Sequence, residues 1–261
     1  MDCQNTARNL KINKNKTLGR IIVVVEGEDE EFKLLKHIFE SILGYSYVEF
    51  NRRSKTMKKC FINKNNPSSV IIIANTNGSS LNSIIDDTEY QDKLYRLLRD
   101  DYQESLKNVP IYLIWDRDRF TNTPDIVNLI LDKYSNSRDN GFNMNGMLLL
   151  SYPCVESYEL ANFHKLEFKN SYSTSEECKK EKNKSKFRIK NINEKTLMLA
   201  VGNMHRVLLD FGIKNYNTDN FKHTNKKIFK KQEEYYKNYE LIRSLSLISI
   251  MLIDMGIIVE N

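Results

Sequence analysis

Two apolar segments of this sequence run directly into carboxylates. Ile21 to Val25 is followed by Glu26, and Ile111 to Trp115 is followed by Asp116 and then Asp118. Ligands of open α/β sheets bind outside the carboxyl ends of the strands, so acids that end two strands can converge there. A dense carboxylate cluster repels itself unless a cation neutralises it, and Mg²⁺ or Mn²⁺, which serve phosphoryl chemistry, suit oxygen ligands. The plainer alternative is that the aspartates open a helix-capping loop and that Glu26 lies in a turn.

The order of these motifs resembles the signature of the Toprim domain, the metal-binding module of topoisomerases, bacterial primases and several nucleases. That signature is a strand ending in Glu-Gly, here Glu26-Gly27, and a later strand ending in Asp-x-Asp, here Asp116 to Asp118, with an apolar segment at Val70 to Ala74 between them. The resemblance implies an α/β fold with a Rossmann-like, mostly parallel sheet flanked by helices and with a helical C-terminal appendage. It also implies a Mg²⁺ (or Mn²⁺) cofactor and assigns catalysis to Glu26, Asp116 and Asp118. Whether Glu26 binds metal or acts as a general acid or base stays open.

Two further acids join the expected metal ligands. Glu30 lies one helical turn after Glu26, and nucleases of the OLD type carry an acid at this spacing, which favours Glu30 over its acidic neighbours. Glu156 follows an apolar segment at Met147 to Leu150, in a run that partly resembles a segment of RloB-type Toprim ribonucleases, with Val155 in place of an aromatic residue. For both acids the alternative is a solvated helix start.

Alternating apolar and helical patterns support the sheet. Helices are predicted at Glu28 to Leu43, ended by Gly44, at Leu81 to Leu106, and at Asp125 to Tyr134 with Thr123-Pro124 at its start. Strands are predicted at Tyr47 to Phe50 and at the apolar segments named above, and their alternation with helices implies a parallel, covered sheet. In the C-terminal third, Lys179 to Lys190 is predicted to be a loop or disordered, and helices are predicted at Glu194 to Leu209, Lys226 to Tyr239 and Leu241 to Met255.

Charge is unevenly distributed along the 261 residues, whose net charge is +6. Residues 1–20 hold five basic and one acidic residue, residues 21–162 hold 16 and 21, and residues 163–261 hold 19 and 12. An acidic middle with basic flanks suits an enzyme that acts on a polyanion. We therefore expect three regions: a flexible basic arm (1–18), the Toprim catalytic domain (19–162) and a basic, mainly helical C-terminal region (163–261). The residues expected to bind nucleic acid are Lys184, Lys186, Arg188, Lys226, Lys227 and Lys230.

Other chemistries have little support in the sequence. Four widely spaced cysteines without a CxxC pair argue against a zinc site and indicate free thiols in a reducing cytoplasm. There is no HExxH motif and no Walker A loop. No apolar stretch approaches the length of a membrane span, so a cytoplasmic protein without membrane contact is expected.

The expected function is that of a metal-dependent nuclease. Stand-alone Toprim nucleases of bacterial defence, the RloB-type enzymes and the effector of the PARIS anti-phage system, are similar in size and in their basic C-terminal part. This resemblance implies a toxic antiviral effector that cleaves tRNA and has an ATPase regulatory partner. The apolar residues near the C-terminus are expected to pack in the core of the chain or, alternatively, against such a partner or a second subunit of a homodimer. The alternatives are an OLD-like DNA nicking nuclease, an rRNA-processing Toprim ribonuclease, or a non-catalytic module that binds metal or nucleic acid.

Overall fold

A computed structural model describes most of the chain, namely residues 10–27, 29–50, 58–75, 108–119, 123–138, 146–163, 171–184 and 188–260. The chain divides into two compact units. One unit takes in Met1–Lys16, Trp115–Arg119 and Leu149–Asn261, and the other takes in Thr17–Ile114 and Phe120–Leu148. The predicted boundaries of the arm, the catalytic domain and the C-terminal region stay predictions.

Twelve strands lie in the described ranges. They are β1 (Leu10–Ile12), β2 (Arg20–Val25), β3 (Tyr45–Phe50), β4 (Lys58–Asn63), β5 (Val70–Asn75), β6 (Ile111–Asp116), β7 (Ser135–Asn136), β8 (Gly146–Tyr152), β9 (Ser171–Tyr172), β10 (Ile242–Arg243), β11 (Leu245–Ser246) and β12 (Ile258–Glu260). The main sheet has the order β11-β8-β6-β2-β5-β4-β3, with β7 paired to β8. Two small sheets, β1 with β12 and β9 with β10, are antiparallel.

The centre of the main sheet is parallel, whereas its margins are not. Strand β2 pairs in parallel with β5 on one side and with β6 on the other. Its residues Ile21 to Val25 are all buried, as expected for a strand covered on both faces. At one margin β4 runs antiparallel to both β3 and β5. At the other margin β11 runs antiparallel to β8. The predicted α/β sheet flanked by helices is thus confirmed, but it is mixed, with a parallel centre.

Seven α-helices lie in the described ranges. They are α1 (Glu30–Lys36), which continues as a π-helical segment His37–Ile42, α2 (Pro124–Lys133), α3 (Glu156–Ala161), α4 (Ser175–Lys182), α5 (Glu194–Asp210), α6 (Lys222–Tyr239) and α7 (Ile248–Asp254). The first helical region ends before Gly44, whose φ of +71° is the left-handed conformation that glycine adopts most readily. Pro124 occupies the first turn of α2 as predicted, although the Thr123 side chain makes no capping hydrogen bond.

Three predictions for individual segments were wrong or lie outside the described residues. Part of the basic run Lys179 to Lys190 belongs to helix α4, so it is not a loop throughout. Leu241 to Met255 is not one helix, because β10 and β11 precede the short α7. The predicted helix from Leu81 to Leu106 falls outside the described residues.

The C-terminal apolar residues are mostly buried within this chain. Leu245, Leu247, Ile248, Ile250, Met251, Leu252 and Ile257 are each at most 3% exposed. This burial explains why the C-terminal segment has more apolar residues than one face of a surface helix needs. These side chains therefore do not require a partner to cover them. In the described ranges, none of the helices has the length and hydropathy needed to cross a membrane.

Candidate metal and nucleic-acid site

Strands β2 and β6 leave the sheet at the same edge. In their parallel ladder Val25 pairs with Ile114, so the residues that follow both strands begin from one rim of the sheet. Glu26 is the residue after Val25, and it lies in a bend before α1. The strand order and direction expected from the two acidic motifs are therefore present.

The loop after Glu26 is shaped by an acid that the sequence did not single out. A Cβ atom at Gly27 would lie 2.8 Å from Oε2 of Glu31, so any other residue here would displace the end of the Glu31 side chain. Glu31 is 8% exposed. Glu30, by contrast, is the first residue of α1 with 37% of its side chain exposed, and its Oε1 is 3.9 Å from Lys33 Nζ. Of the two neighbours, Glu31 rather than Glu30 has its carboxylate against the glutamate-glycine loop.

Asp116 is fixed by the chain that follows β8. Its Oδ1 accepts a hydrogen bond of 2.7 Å from the backbone N–H of Val155, and the next backbone N–H, of Arg117, donates to the Ser151 carbonyl at 2.7 Å. These bonds hold the start of the Asp-x-Asp motif against the residues that lead into α3. The first residue of α3 is Glu156, so one predicted metal-binding acid directly follows the residue whose backbone binds another.

Glu156 is a buried acid that lacks full hydrogen bonding. It is 4% exposed, and its Oε2 has no hydrogen-bond partner among the described residues. A hydrogen bond with Cys178, burial, and the negative charges of Cys178, Glu156 and Asp116 together raise the pKa of the Cys154 thiol. The carboxylates of Asp116 and Glu156 therefore both affect the same buried thiol. Because an ionised buried carboxylate is costly without a compensating charge, this donor set fits a cation that prefers oxygen.

Asp118, the second aspartate of the motif, is half-buried. Its carbonyl oxygen accepts a hydrogen bond from Nη1 of Arg117 at 3.1 Å. Within the described ranges, no three or more His, Cys, Asp or Glu side chains are grouped so that they could hold a metal ion. The chain thus ties Asp116 to the residue before Glu156, and the described residues do not gather the complete predicted ligand set.

The two arginines of the motif segment meet a carboxylate from a distant helix. Glu233 of α6 accepts a hydrogen bond from Arg117 Nη2 at 3.0 Å through Oε1 and another from Arg119 Nη1 through Oε2. Arg117 is 1% exposed, and burial lowers the pKa of its guanidinium while Glu233 opposes that effect. The Arg119 guanidinium lies 3.9 Å from the ring centroid of Tyr236. Sequence reasoning missed Glu233, although it belongs to the only pair of acids in the basic run of α6.

The described residues that are predicted to contact nucleic acid lie on α6 and in the segment that follows α4. Lys184 and Arg188 are exposed, and Lys184 forms an ion pair with Glu181. Lys186 lies outside the described residues. On α6, Lys227 and Lys230 are exposed and Lys226 is half-buried. Lys227 donates to the Gly212 carbonyl at 3.1 Å, so part of its charge stabilises the end of α5.

Three of the four cysteines lie in the part of the chain that the structure describes. Cys60, Cys154 and Cys178 are buried and form no disulfide among the described residues, which confirms the expected thiols at these three positions. Neither a protein-family model, nor a curated protein, nor a solved structure matches this chain.

Proposed function

We propose that this chain is a metal-dependent nuclease of the Toprim type that cleaves RNA, with tRNA as the favoured substrate. The observation that carries the proposal is the pairing of Asp116 with the Val155-Glu156 segment: one acid is held by a backbone N–H, and the next acid is buried with an oxygen that lacks a hydrogen bond among the described residues. Buried carboxylates of this kind are costly unless they are paired or bind a cation.

The proposed ligands of the ion are Asp116, Glu156 and Asp118, with Glu26 included because its strand is the parallel neighbour of the Asp-x-Asp strand. A divalent ion supplies Lewis-acid chemistry, stabilising the charge that develops on a phosphodiester and activating water. The Val155 N–H orients the Asp116 carboxylate before any ligand binds, so the side chain loses less conformational entropy on binding. Glu30 remains part of the proposal on its spacing alone, and Glu31 is a competing choice because it is buried against the same loop.

The substrate side of the proposal is supported by positive charge in the C-terminal part. Lys226 and Lys230 are four residues apart on α6 and therefore lie on one face, which suits contacts to a phosphate backbone. The choice of tRNA over DNA, the role in antiviral defence and an ATPase regulatory partner rest on the resemblance to stand-alone Toprim ribonucleases. An OLD-like enzyme would share the same acids and would differ in cutting DNA.

The test is an incubation of the purified chain with total tRNA, supercoiled plasmid and single-stranded DNA, each with Mg²⁺, Mn²⁺ or EDTA. We expect cleavage of tRNA with either metal ion and none in EDTA. Asp116→Asn and Glu156→Gln remove charge at nearly constant volume, and each should reduce the cleavage rate by at least about 100-fold, a loss of roughly 3 kcal/mol of transition-state stabilisation.

The matched control is Glu176→Gln, which removes a charge from an exposed acid that forms an ion pair with Lys180 on α4. This variant should cleave like the wild type. Cleavage of plasmid alone would favour the DNA nicking alternative. If Mn²⁺ binds with 1:1 stoichiometry by calorimetry but no nucleic acid is cut, the protein is the non-catalytic metal-binding module and the nuclease proposal is wrong.

A further inference from the structure

Arg119 has a partly exposed guanidinium whose orientation is fixed by two other residues. Its Nη1 donates to Glu233, and the plane of the group packs over the ring of Tyr236, with 3.9 Å from the guanidinium carbon to the ring centroid. The side chain is nevertheless 27% exposed. An exposed arginine normally loses side-chain conformational entropy when it binds a ligand. Because Arg119 is already restrained at one edge and on one face, most of that loss has occurred before binding.

The remaining edge of this guanidinium carries the Nη2 and Nε donors. Among the described residues, Nη2 and Nε of Arg119 donate no hydrogen bond, although a guanidinium carries five N–H donors. Two neighbouring N–H groups in one plane match two oxygens of a phosphate, and such paired bonds are both strong and directional. We propose that this outer edge of Arg119 binds a backbone phosphate of the nucleic acid, with Glu233 and Tyr236 as its positioning residues.

Arg117 has a different role although it shares the same carboxylate. It is 1% exposed, and it donates to Glu233 and to the Asp118 carbonyl. The cavity beside the arginine pair, lined among others by Tyr152 and Gln232, has a volume of about 10 Å³. This volume is about that of a single water site, so a phosphate cannot enter between the arginines. The ligand must therefore bind to Arg119 from the solvent side.

The charge around Arg119 suits an anion. One carboxylate, Glu233, lies between two guanidinium groups, so the three side chains carry a net charge of +1. Lys230 precedes Glu233 by three residues and Lys226 precedes it by seven, so helical spacing places all three on one face of α6. A strand of nucleic acid lying along the lysines would reach Arg119, which adjoins the Asp-x-Asp motif in sequence. The inference rests on the proposed function only for the choice of nucleic acid as the ligand.

The experiment measures binding without catalysis, by fluorescence anisotropy of fluorescein-labelled total tRNA in EDTA over a series of KCl concentrations. Arg119→Ala should weaken binding and reduce the slope of log K against log[KCl] by about 0.7 to 0.9, the value for one phosphate contact. Arg119→Lys should keep most of the slope but bind more weakly than the wild type, because the ammonium group lacks the planar pair of donors. Tyr236→Leu should lose affinity that Tyr236→Phe restores, since phenylalanine keeps the ring face.

The matched control is Lys195→Ala, which removes one positive charge from an exposed position in the first turn of α5. Its salt slope should equal that of the wild type. An Arg119→Ala slope equal to that of Lys195→Ala, in a protein with wild-type circular dichroism, would overturn the phosphate site, as would absence of tRNA binding by the wild type. A further outcome is that Arg119 binds inorganic phosphate at millimolar concentration, that Arg119→Ala loses this binding, and that the variant keeps the wild-type affinity for tRNA. This result would identify a site for free phosphate and would overturn the assignment to a backbone phosphate.

The two proposals fail in different ways. If the wild type binds tRNA through Arg119 but cleaves nothing with Mg²⁺ or Mn²⁺, the nuclease proposal fails and the phosphate site stands. If the wild type cleaves tRNA and Arg119→Ala has the wild-type salt slope and KM, the phosphate site fails and the nuclease proposal stands.

Discussion

Replacing Glu233 by alanine should destabilise the protein more than any other single change of an acid on α6. The Arg117 side chain is 2% exposed and its Nη2 lies 3.0 Å from Glu233 Oε1. Removing one partner of a buried ion pair costs about 3–5 kcal/mol, because the remaining charge is left in a poorly solvated place. Arg117 keeps its hydrogen bond to the Asp118 carbonyl and its packing over the Phe229 ring, so the lower end, about 3 kcal/mol, is expected. For a chain of this size that corresponds to roughly 6–12 °C in the unfolding midpoint.

The assay is urea and thermal unfolding followed by far-UV circular dichroism and by tryptophan fluorescence. Trp115, the only tryptophan, is fully buried at the end of β6 beside Arg117, so its emission reports on the region in question. Glu234→Ala is the matched control, because Glu234 is 46% exposed and pairs with Lys231 at the surface. We expect no measurable change of the midpoint in that variant.

A double variant separates the ion pair from general damage to α6. Arg117→Met combined with Glu233→Ala removes both charges, and replacing a buried pair with apolar side chains is often neutral. The double variant should therefore recover most of the stability that Glu233→Ala loses. An equal unfolding midpoint for Glu233→Ala and Glu234→Ala, or a double variant less stable than the single one, would show that the ion pair is not the source of this stability.

Three further outcomes are expected. Expression of the chain alone should arrest bacterial growth, whereas Glu26→Ala should not, as measured by colony counts after induction; equal growth with soluble wild-type protein would contradict an uncontrolled nuclease. Neutralising Lys226, Lys227 and Lys230 together should flatten the salt dependence of tRNA binding by roughly one unit per lost phosphate contact, with the smallest share from Lys227, which already bonds a carbonyl. Tyr47 has its pKa raised from 10.0 to about 12, by burial and then by Glu49, so folding favours the neutral phenol; its contribution to stability should be complete below about pH 10 and lost as the pH rises through 12, and Tyr47→Phe should remove that step from alkaline unfolding curves.

The parallel centre of the sheet was predictable because its signal is local. Residues 21–25 and 111–115 are continuous apolar runs, as required of strands buried on both faces, and each ends at the acid that the sequence pattern indicates. Strand β4 was missed because its first residues, Lys58 and Lys59, suggest a basic loop. Its adjacent buried residues Cys60 and Phe61 form too short an apolar run to be recognised as a strand.

Helix α4 was missed for a different physical reason. Cys178 is its only buried residue, so the helix has no apolar period to detect. It is stabilised instead by the Thr174 side chain, which accepts a hydrogen bond of 3.3 Å from the Glu177 N–H, and by the ion pair between Glu176 and Lys180. A capping residue followed by acids and then lysines was the available signal, and the density of lysines concealed it.

The choice between Glu30 and Glu31 shows where spacing stops being informative. Both residues are within reach of Gly27 by helical geometry, and a spacing rule selects Glu30 because it is four positions after Glu26. Burial selects Glu31, since its carboxylate fills the space that a side chain at Gly27 would need. Which face of a helix start is covered depends on the residues that pack over it, and the sequence of the helix alone does not contain that information.

Glu233 could not have been assigned from the sequence, because its partners Arg117 and Arg119 are more than 110 positions away. The pairing nevertheless has a clear electrostatic logic. An arginine that paired with an aspartate of the Asp-x-Asp motif would compete with a cation for it, so Arg117, between the aspartates, and Arg119, after them, interfere less when another acid pairs with them. Glu233 supplies that acid, and it does so from the helix that carries Lys226 and Lys230. The two ion pairs of Glu233 thus join the motif segment to the helix that carries Lys226 and Lys230, and we expect a change at this half-buried carboxylate to weaken both the proposed metal binding and the proposed nucleic-acid binding.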